Sequence, residues 1–263
     1  MQGRVLIVAG SDSGGGAGIQ ADIKAVTMLG GYAATAIAAL TVQNTLGVTD
    51  VHPVPPSFVQ AQMRAVLDDI GADAVKTGML GDAAMVEAVA DVLNAWPAIP
   101  VVVDPVMVAK GGARLLDAAA VGAVRTRLLS RAALVTPNTP ELEALTGQAI
   151  RTEAEAVAAG RMLIAEGARA VLVKGGHLEG DEVADWLLAG AEEHRFASPR
   201  IATRHTHGTG CTLASAIACG LAKGLSLVEA VSAARDYVQS AIRAAPGFGR
   251  GHGPLGHNFA LTP

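Results

Sequence analysis

The chain has 263 residues, 51% hydrophobic and 3% aromatic, with 31 glycines and a net charge of −4. That length suits one large α/β domain spanning 1–263, with a sizeable core and no Pro/Ser- or Gly/Ser-rich linker. With no basic stripe and little aromatic surface for stacking, a nucleic-acid binder is excluded. No run approaches 18 apolar residues, so no membrane span is expected.

Short β-branched runs alternate with Ala-rich helical stretches. Residues 5–9 predict a strand ending at Gly10, and 19–29 a helix. Residues 34–42 and 48–54 predict strands, the second near an edge because Pro53, Pro55 and Pro56 close it. Helices are expected over 58–70, with Ser57 as N-cap, and over 82–95, capped by Asp82, with a strand at 74–77 between them. Strands follow at 101–104, 134–136 and 170–174, and helices at 118–129, 140–145 and 153–166. Residues 182–189 and 194–197 alternate like an antiparallel hairpin at the far edge. Helices at 210–223 and 227–244 close the order, and the glycine-rich stretch 247–254 reads as a loop and a candidate mobile segment. This order implies a mostly parallel central sheet with helices on both faces.

Cys211 and Cys219 sit eight residues apart on one predicted helix, about 12 Å, too far for a disulfide. That fits a reducing compartment, and Met1–Arg4 runs into the first strand without a signal-peptide core, so the cytoplasm is expected.

Ligands of such sheets bind beyond the carboxyl ends of the strands. The polar residues expected there are Ser11, Asp12, Gln43, Asn44, Lys76, Thr77, Asp104, Asn138 and Lys174. His207-Gly208-Thr209-Gly210-Cys211-Thr212 opens an apolar helix. Its free N–H groups, its dipole and its glycines suit a phosphate, and a thiol placed there is expected to have a lowered pKa. The same residues also read as a tight turn with Cys211 as a small core side chain. The loop Gly10-Ser11-Asp12-Ser13-Gly14-Gly15-Gly16-Ala17-Gly18 has neither the G-x-G-x-x-G register nor a Walker lysine, which disfavours a Rossmann dehydrogenase and excludes a P-loop. Asp22, one turn into the next helix, is either a solvated residue or a carboxylate that binds a substrate amine or hydroxyl. The oxygens of Asp104 and Glu141 suit Mg²⁺, although Glu141 equally suits a helix N-terminus. Lys174 offers a cation to a transferring phosphoryl group. The histidines lack zinc-site spacing, and His205 and His207 read as surface or backbone-bonding groups.

Seven blocks in order carry a resemblance: Gly10 to Asp22, Thr41-Val42-Gln43-Asn44-Thr45, Lys76-Thr77-Gly78-Met79-Leu80, Val103-Asp104-Pro105-Val106-Met107, Thr136-Pro137-Asn138-Thr139-Pro140-Glu141, Lys174-Gly175-Gly176-His177 and His207 to Thr212. Nearly the whole chain resembles the ribokinase-like kinases, and within them the hydroxymethylpyrimidine/phosphomethylpyrimidine kinases of thiamine biosynthesis. His205 stands where that family often has Asn. The resemblance implies a three-layer αβα ribokinase-like fold, ATP as phosphoryl donor, Mg²⁺ and a homodimer. It implies that Asp22 and Gln43 hold the aminopyrimidine edge, while Gly10, Val42, Met79, Val106 and Met107 line the ring pocket. It implies that Gly208, Gly210 and Cys211 form the anion hole, with Cys211 as the base. Asp104, Asn138, Thr209 and Lys174 would serve ATP, and Asp104 and Glu141 the metal. The alternatives are a pyridoxal/pyridoxine kinase of the same fold and a non-catalytic pyrimidine sensor. Intact Cys211, Lys174 and Glu141 argue against the sensor. The length leaves no room for a fused thiamine-phosphate synthase.

Overall fold

Strand β1 (Arg4–Ala9) is apolar on both faces, and its residues Val5 to Ala9 are each no more than 1% exposed. A strand of this kind must be covered twice, and the computed structural model, which describes residues 3–107 and 117–261, covers it on both sides. The chain continues as α1 (Gly18–Met28), β2 (Tyr32–Ile37), β3 (Ala39–Asn44), β4 (Gly47–Pro53), α2 (Pro56–Asp69), β5 (Ala74–Thr77), α3 (Ala83–Ala95) and β6 (Val101–Val103). Beyond residue 116 come α4 (Ala118–Ala123), β7 (Leu134–Val135), α5 (Thr139–Thr146), α6 (Glu153–Ala165), β8 (Ala170–Val173), β9 (Glu182–Ala189), β10 (Glu192–Pro199), α7 (Thr209–Ala222) and α8 (Leu227–Arg243).

Eight strands form one sheet in the order β10-β9-β8-β7-β6-β5-β1-β2. Pairings from β2 through β8 are parallel, and the β8–β9 and β9–β10 pairings are antiparallel. Leu6, Val8, Val75, Val101 and Val103 face a core built with α2 to α6. Val5, Ile7, Ala9, Ala74 and Val102 face a second core built with α1, α7 and α8. The result is a three-layer αβα sandwich. Each fully buried Val, Leu or Ile contributes about 1.5–3 kcal/mol, so both faces are needed to hold the sheet. From β1 the chain passes to β2 on one side, and β5 to β8 build outward on the other. The carboxyl ends of β1 and β5 are therefore the switch point where a crevice forms.

Three expectations shift. The run 34–42 divides at Ala38: β2 stays in the sheet, while β3 leaves it to pair with β4 as a separate antiparallel ribbon. The ribbon is tied back by Ser11 N–H to Ala39 O (2.8 Å) and Thr41 Oγ1 to Ser11 O (2.8 Å). Helix α2 begins at Pro56 with Pro55 as its cap, because proline at the first helical position needs no N–H partner; Ser57 is inside the helix. The helix expected over 118–129 is α-helical only to Ala123 and finishes in a π-helical turn, Val124–Leu128. Asp82 does cap α3, accepting from Met85 N–H. Loop 247–254 is held by His252 N–H to Thr45 O (2.9 Å) and by His207 N–H to Gly253 O (3.1 Å). Among the described residues no helix is long and apolar enough to cross a membrane.

Candidate active site

The first glycine-rich loop folds around its own carboxylate. Asp12 accepts N–H groups from Gly14 (2.8 Å), Gly16 (3.0 Å) and Ala17 (2.8 Å), so these donors are already used and the loop is not itself a phosphate cradle. Burial opposes the charge of Asp12, but His207 and these N–H groups outweigh it and hold Asp12 below its ordinary value. His207 Nε2 lies 2.9 Å from Asp12 Oδ2 and 3.2 Å from the side-chain amide of Gln43. This histidine, read as a surface or backbone-bonding group, is a half-buried cross-link between loops, and its backbone N–H also donates to Gly253 O (3.1 Å).

Glycine opens α7 for two different reasons. Gly208 caps the helix at φ 83°, and any Cβ there would collide with Gly16 O, so the two glycine loops touch through their backbones. A Cβ on Gly210 would stand 3.2 Å from Lys174 Nζ and 3.8 Å from Asp104 Oδ2. The first turn of α7, with N–H groups that have no intrahelical partner, therefore lies close against a lysine and a carboxylate. Thr209, expected to serve ATP, turns its hydroxyl back to Thr206 O (2.7 Å).

Cys211 sits in that first turn, and its sulfur accepts the Gly18 N–H. Burial pushes the thiol up to about 12, with Asp22 and Asp104 adding to the rise and Lys76 opposing it. The lowered pKa expected from the helix end is thus reversed: at rest Cys211 is a thiol.

Beneath it lies a sealed ion pair. Lys76 Nζ donates to both oxygens of Asp22 at 2.9 Å, Ser215 Oγ donates to Asp22 Oδ1 at 2.7 Å, and neither charged side chain is exposed. Burial works against the ammonium, but Asp22 more than offsets it and Lys76 stays protonated. Ser215 is four residues beyond Cys211, on the same face of α7. Asp22 was expected at a pyrimidine edge; its oxygens are instead spent on Lys76 and Ser215, so its place is under the site.

A second lysine stands at the rim. Lys174 Nζ is 3.0 Å from Asp104 Oδ1 and 3.7 Å from Glu141 Oε2, and its side chain is 12% exposed. Thr136 Oγ1 donates to the same Asp104 oxygen (3.1 Å). Asn138 and Glu141 form a reciprocal cap on α5, with Asn138 N–H to Glu141 Oε2 at 2.8 Å and Glu141 N–H to Asn138 Oδ1 at 2.9 Å. Burial raises Glu141 from the ordinary 4.5 to about 7, with Asp104 adding and Lys174 opposing.

The apolar group divides. Gly10 N–H donates to Met79 O (3.1 Å), and Met79 and Val106 are half-buried beside the switch point. Val42 is 59% exposed on the ribbon, directly opposite Asp50. Met107 is 3% exposed within the α2–α6 core, a packing position and not a ring lid. A cavity of about 460 Å³ opens beside Gly175 and His177, lined also by Arg151, Glu153 and Glu182, with Glu153 and Glu182 paired to Arg195. Sequence reasoning missed Ser215 and the joining role of Lys76. A lone lysine inside the apolar strand Ala74–Thr77, with an acid one turn into α1 and a serine four residues past Cys211, was the available signal.

A helix N-terminus with a thiol, two lysines and paired carboxylates at the switch point of a parallel sheet defines a small-molecule kinase of the ribokinase-like class. Residues 12–256 match the family model described as phosphomethylpyrimidine kinase. The chain is 52% identical over 257 residues to the hydroxymethylpyrimidine/phosphomethylpyrimidine kinase of Streptomyces coelicolor, covering 98% of this chain and 95% of that one. It is 55% identical over 259 residues to the thiamine biosynthesis bifunctional protein ThiED of Geobacter sulfurreducens, covering 98% of this chain but only 53% of that relative, about half its length. Among solved structures, the ADP complex of Bacillus subtilis pyridoxal kinase superposes with TM-score 0.93 at 34% identity, covering 100% of both chains. The phosphomethylpyrimidine kinase of Clostridium difficile superposes with TM-score 0.82 at 36% identity, covering 92% of this chain and 100% of that one. The chain belongs to the phosphomethylpyrimidine kinase family.

Proposed function

We propose that residues 1–263 form one kinase domain that transfers the γ-phosphoryl group of ATP to 4-amino-5-hydroxymethyl-2-methylpyrimidine, and then to the resulting monophosphate. The observation that carries this reading is the convergence of the α7 N-terminus, Lys174 and Asp104 at Gly210, where a side chain would stand 3.2 Å from Lys174 Nζ. Similarity to kinases named for both steps supports the substrate.

Phosphoryl transfer needs positioning and charge neutralisation more than covalent chemistry. The α7 N–H groups meet the equatorial oxygens, and Lys174 exchanges a carboxylate for phosphate. Met79 and Val106 bound the ring from the switch point, and Gln43 reads its polar edge. Cys211 holds the acceptor hydroxyl and takes its proton late in transfer. The protonated Lys76 below is what favours the thiolate at that moment. The second acceptor is a phosphate monoester, largely ionised near pH 7 because its second pKa is about 6, and has less need of a base.

The rim fits Mg²⁺: among the described residues Asp104 Oδ2 and Glu141 Oε1 have no hydrogen-bond partner, and Thr139 Oγ1, two residues before Glu141, is buried without one. Among the described residues no group of three His, Cys, Asp or Glu forms a resident cage, which accords with an ion held by one or two carboxylates plus phosphate oxygens. Such an ion would neutralise charge on the transferring group. The exposed apolar ribbon, with Leu40 at 48% and Val42 at 59% exposure, supports a homodimer, and two free cysteines support a cytoplasmic setting.

The test is purified protein with Mg-ATP and hydroxymethylpyrimidine, its monophosphate or pyridoxal, with products resolved by mass. Sequential mono- and diphosphate formation is expected. The close superposition on pyridoxal kinase supports a second reading, and turnover of pyridoxal alone would establish it in place of the first.

A further inference from the structure

His207 joins three parts of the molecule: the first glycine loop, the β3–β4 ribbon and the start of α7. Its Nε2 lies 2.9 Å from Asp12 Oδ2, and the two side chains are 12% and 3% exposed. Asp12 in turn gathers the N–H groups of Gly14, Gly16 and Ala17, which fixes the first glycine loop. The same Nε2 lies 3.2 Å from the Gln43 amide, and Gln43 is bound through its backbone to Ser13 of that loop, N–H to Oγ at 2.8 Å. His207 is followed at once by Gly208, the cap of α7, which contacts Gly16. A Cβ on Gly16 would stand 2.6 Å from the imidazole Cδ2, so the ring is packed against bare backbone.

One ring nitrogen thus has two claimants. The contact to Gln43 is nitrogen to nitrogen: with a hydrogen, Nε2 donates to Asp12 but faces an amide group that can only donate, and with a lone pair it accepts from Gln43 but turns that lone pair toward the Asp12 carboxylate. An acceptor that takes the Gln43 amide frees the nitrogen for Asp12. The stronger bond tightens the glycine loop against Gly208, immediately before the N–H groups that meet phosphate. We propose that Asp12, His207 and Gln43 form a positioning relay through which binding of the acceptor ring raises affinity for the phosphoryl donor at the start of α7. The relay rests on the reading of Gln43 as an acceptor contact. His207 itself touches no reacting atom and acts through Asp12 and Gly208.

The relay is a coupling between two ligands, and coupling is measured directly. Calorimetry on the whole protein would give the Kd of a non-hydrolysable ATP analogue with Mg²⁺, with and without saturating hydroxymethylpyrimidine. The expected wild-type result is at least about a fivefold tightening by the pyrimidine. His207→Phe keeps a ring against Gly16 but removes the nitrogen. It is expected to reduce the tightening to about onefold while leaving the analogue's Kd without pyrimidine within about twofold of wild type. His207→Gln restores a polar group and is expected to recover part of the tightening, which a packing role would not produce. His207→Leu, which removes the same nitrogen with a smaller side chain, supplies the same loss if His207→Phe does not fold. Full tightening in either His207→Phe or His207→Leu overturns the relay, as does an equal loss of affinity with and without pyrimidine. Pyrimidine that binds wild type without tightening the analogue overturns the relay alone. Pyrimidine that does not bind at all overturns the substrate reading and the relay with it, whereas tightening produced by pyridoxal instead keeps the relay and replaces the substrate.

Discussion

Two lysines at the carboxyl ends of parallel strands look alike in sequence and behave differently in the fold. Lys76 ends β5 and Lys174 follows β8; both face carboxylates, and both stay protonated because those carboxylates outweigh the cost of burial. Lys76 is closed in on Asp22 by two bonds, and Asp22 is held further by Ser215. Lys174 touches Asp104 on one side, stands farther from Glu141, lies close to Gly210 and keeps some exposure. A partly exposed cation with one close partner can trade that partner for a phosphate, whereas a sealed one supplies a fixed field. The difference lies in how complete the hydrogen-bond shell is, and that shell comes from other elements of the chain.

Substitutions sharpen this comparison. Lys76→Met leaves Asp22 buried and unpaired, which is expected to cost about 3–5 kcal/mol of stability. The double change Lys76→Met with Asp22→Leu should recover most of it, and calorimetric unfolding measures both. A single variant that melts with wild type would break the sealed-pair account. Lys174→Ala should leave the melting temperature nearly unchanged and lower kcat about 10²–10³-fold, the scale of losing one donor to a transition-state oxygen. A loss of stability without a loss of rate would make the two lysines equivalent after all. Cys211, which feels both cations, should on change to Ala slow the first phosphorylation about 10²-fold and the second far less, read by single-turnover assays on each acceptor. Equal losses would remove its role as proton acceptor.

The smallest effect concerns the rim carboxylate. Glu141 in the folded chain holds its proton to about pH 7, whereas the unfolded chain releases it near 4.5. The folded form then binds more protons between those values, so wild-type stability falls as pH rises through that window. Glu141→Gln should flatten the dependence. The gap in melting temperature between the two proteins should shift in favour of the variant from pH 4.5 to 7, and a constant gap would place the charge of Glu141 elsewhere.

Much of this arrangement was legible in the residues. Continuous apolar runs such as Val101–Val103 read as buried strands, and Gly208 and Gly210 marked the start of α7. Long-range pairing was not legible. Nothing local in Asp22 says that Lys76, 54 residues on, will take both its oxygens, or that Ser215, 193 residues on, will add a third bond. The same blindness reversed the expected acidity of Cys211: the helix end is a local feature, but the burial and the two carboxylates that raise the thiol arrive from elsewhere in the fold. The side-chain role of His207, read only as a surface or backbone-bonding group, was hidden because Asp12 lies 195 positions away.

The face of the sheet closed by α1, α7 and α8 carries a consequence for the order in which the chain matures. Residues Val5, Ile7 and Ala9 are made well before α7 and α8, which with α1 cover them. His257, which meets Thr212 Oγ1 at 2.9 Å and accepts the Tyr237 hydroxyl on its carbonyl at 2.9 Å, follows α8. Until those segments are made, one side of the nascent sheet is an apolar plane covered by α1 alone, and Asp22 lacks its bond from Ser215. Holdase chaperones bind such surfaces, and the competent enzyme is assembled only when its closing segments emerge.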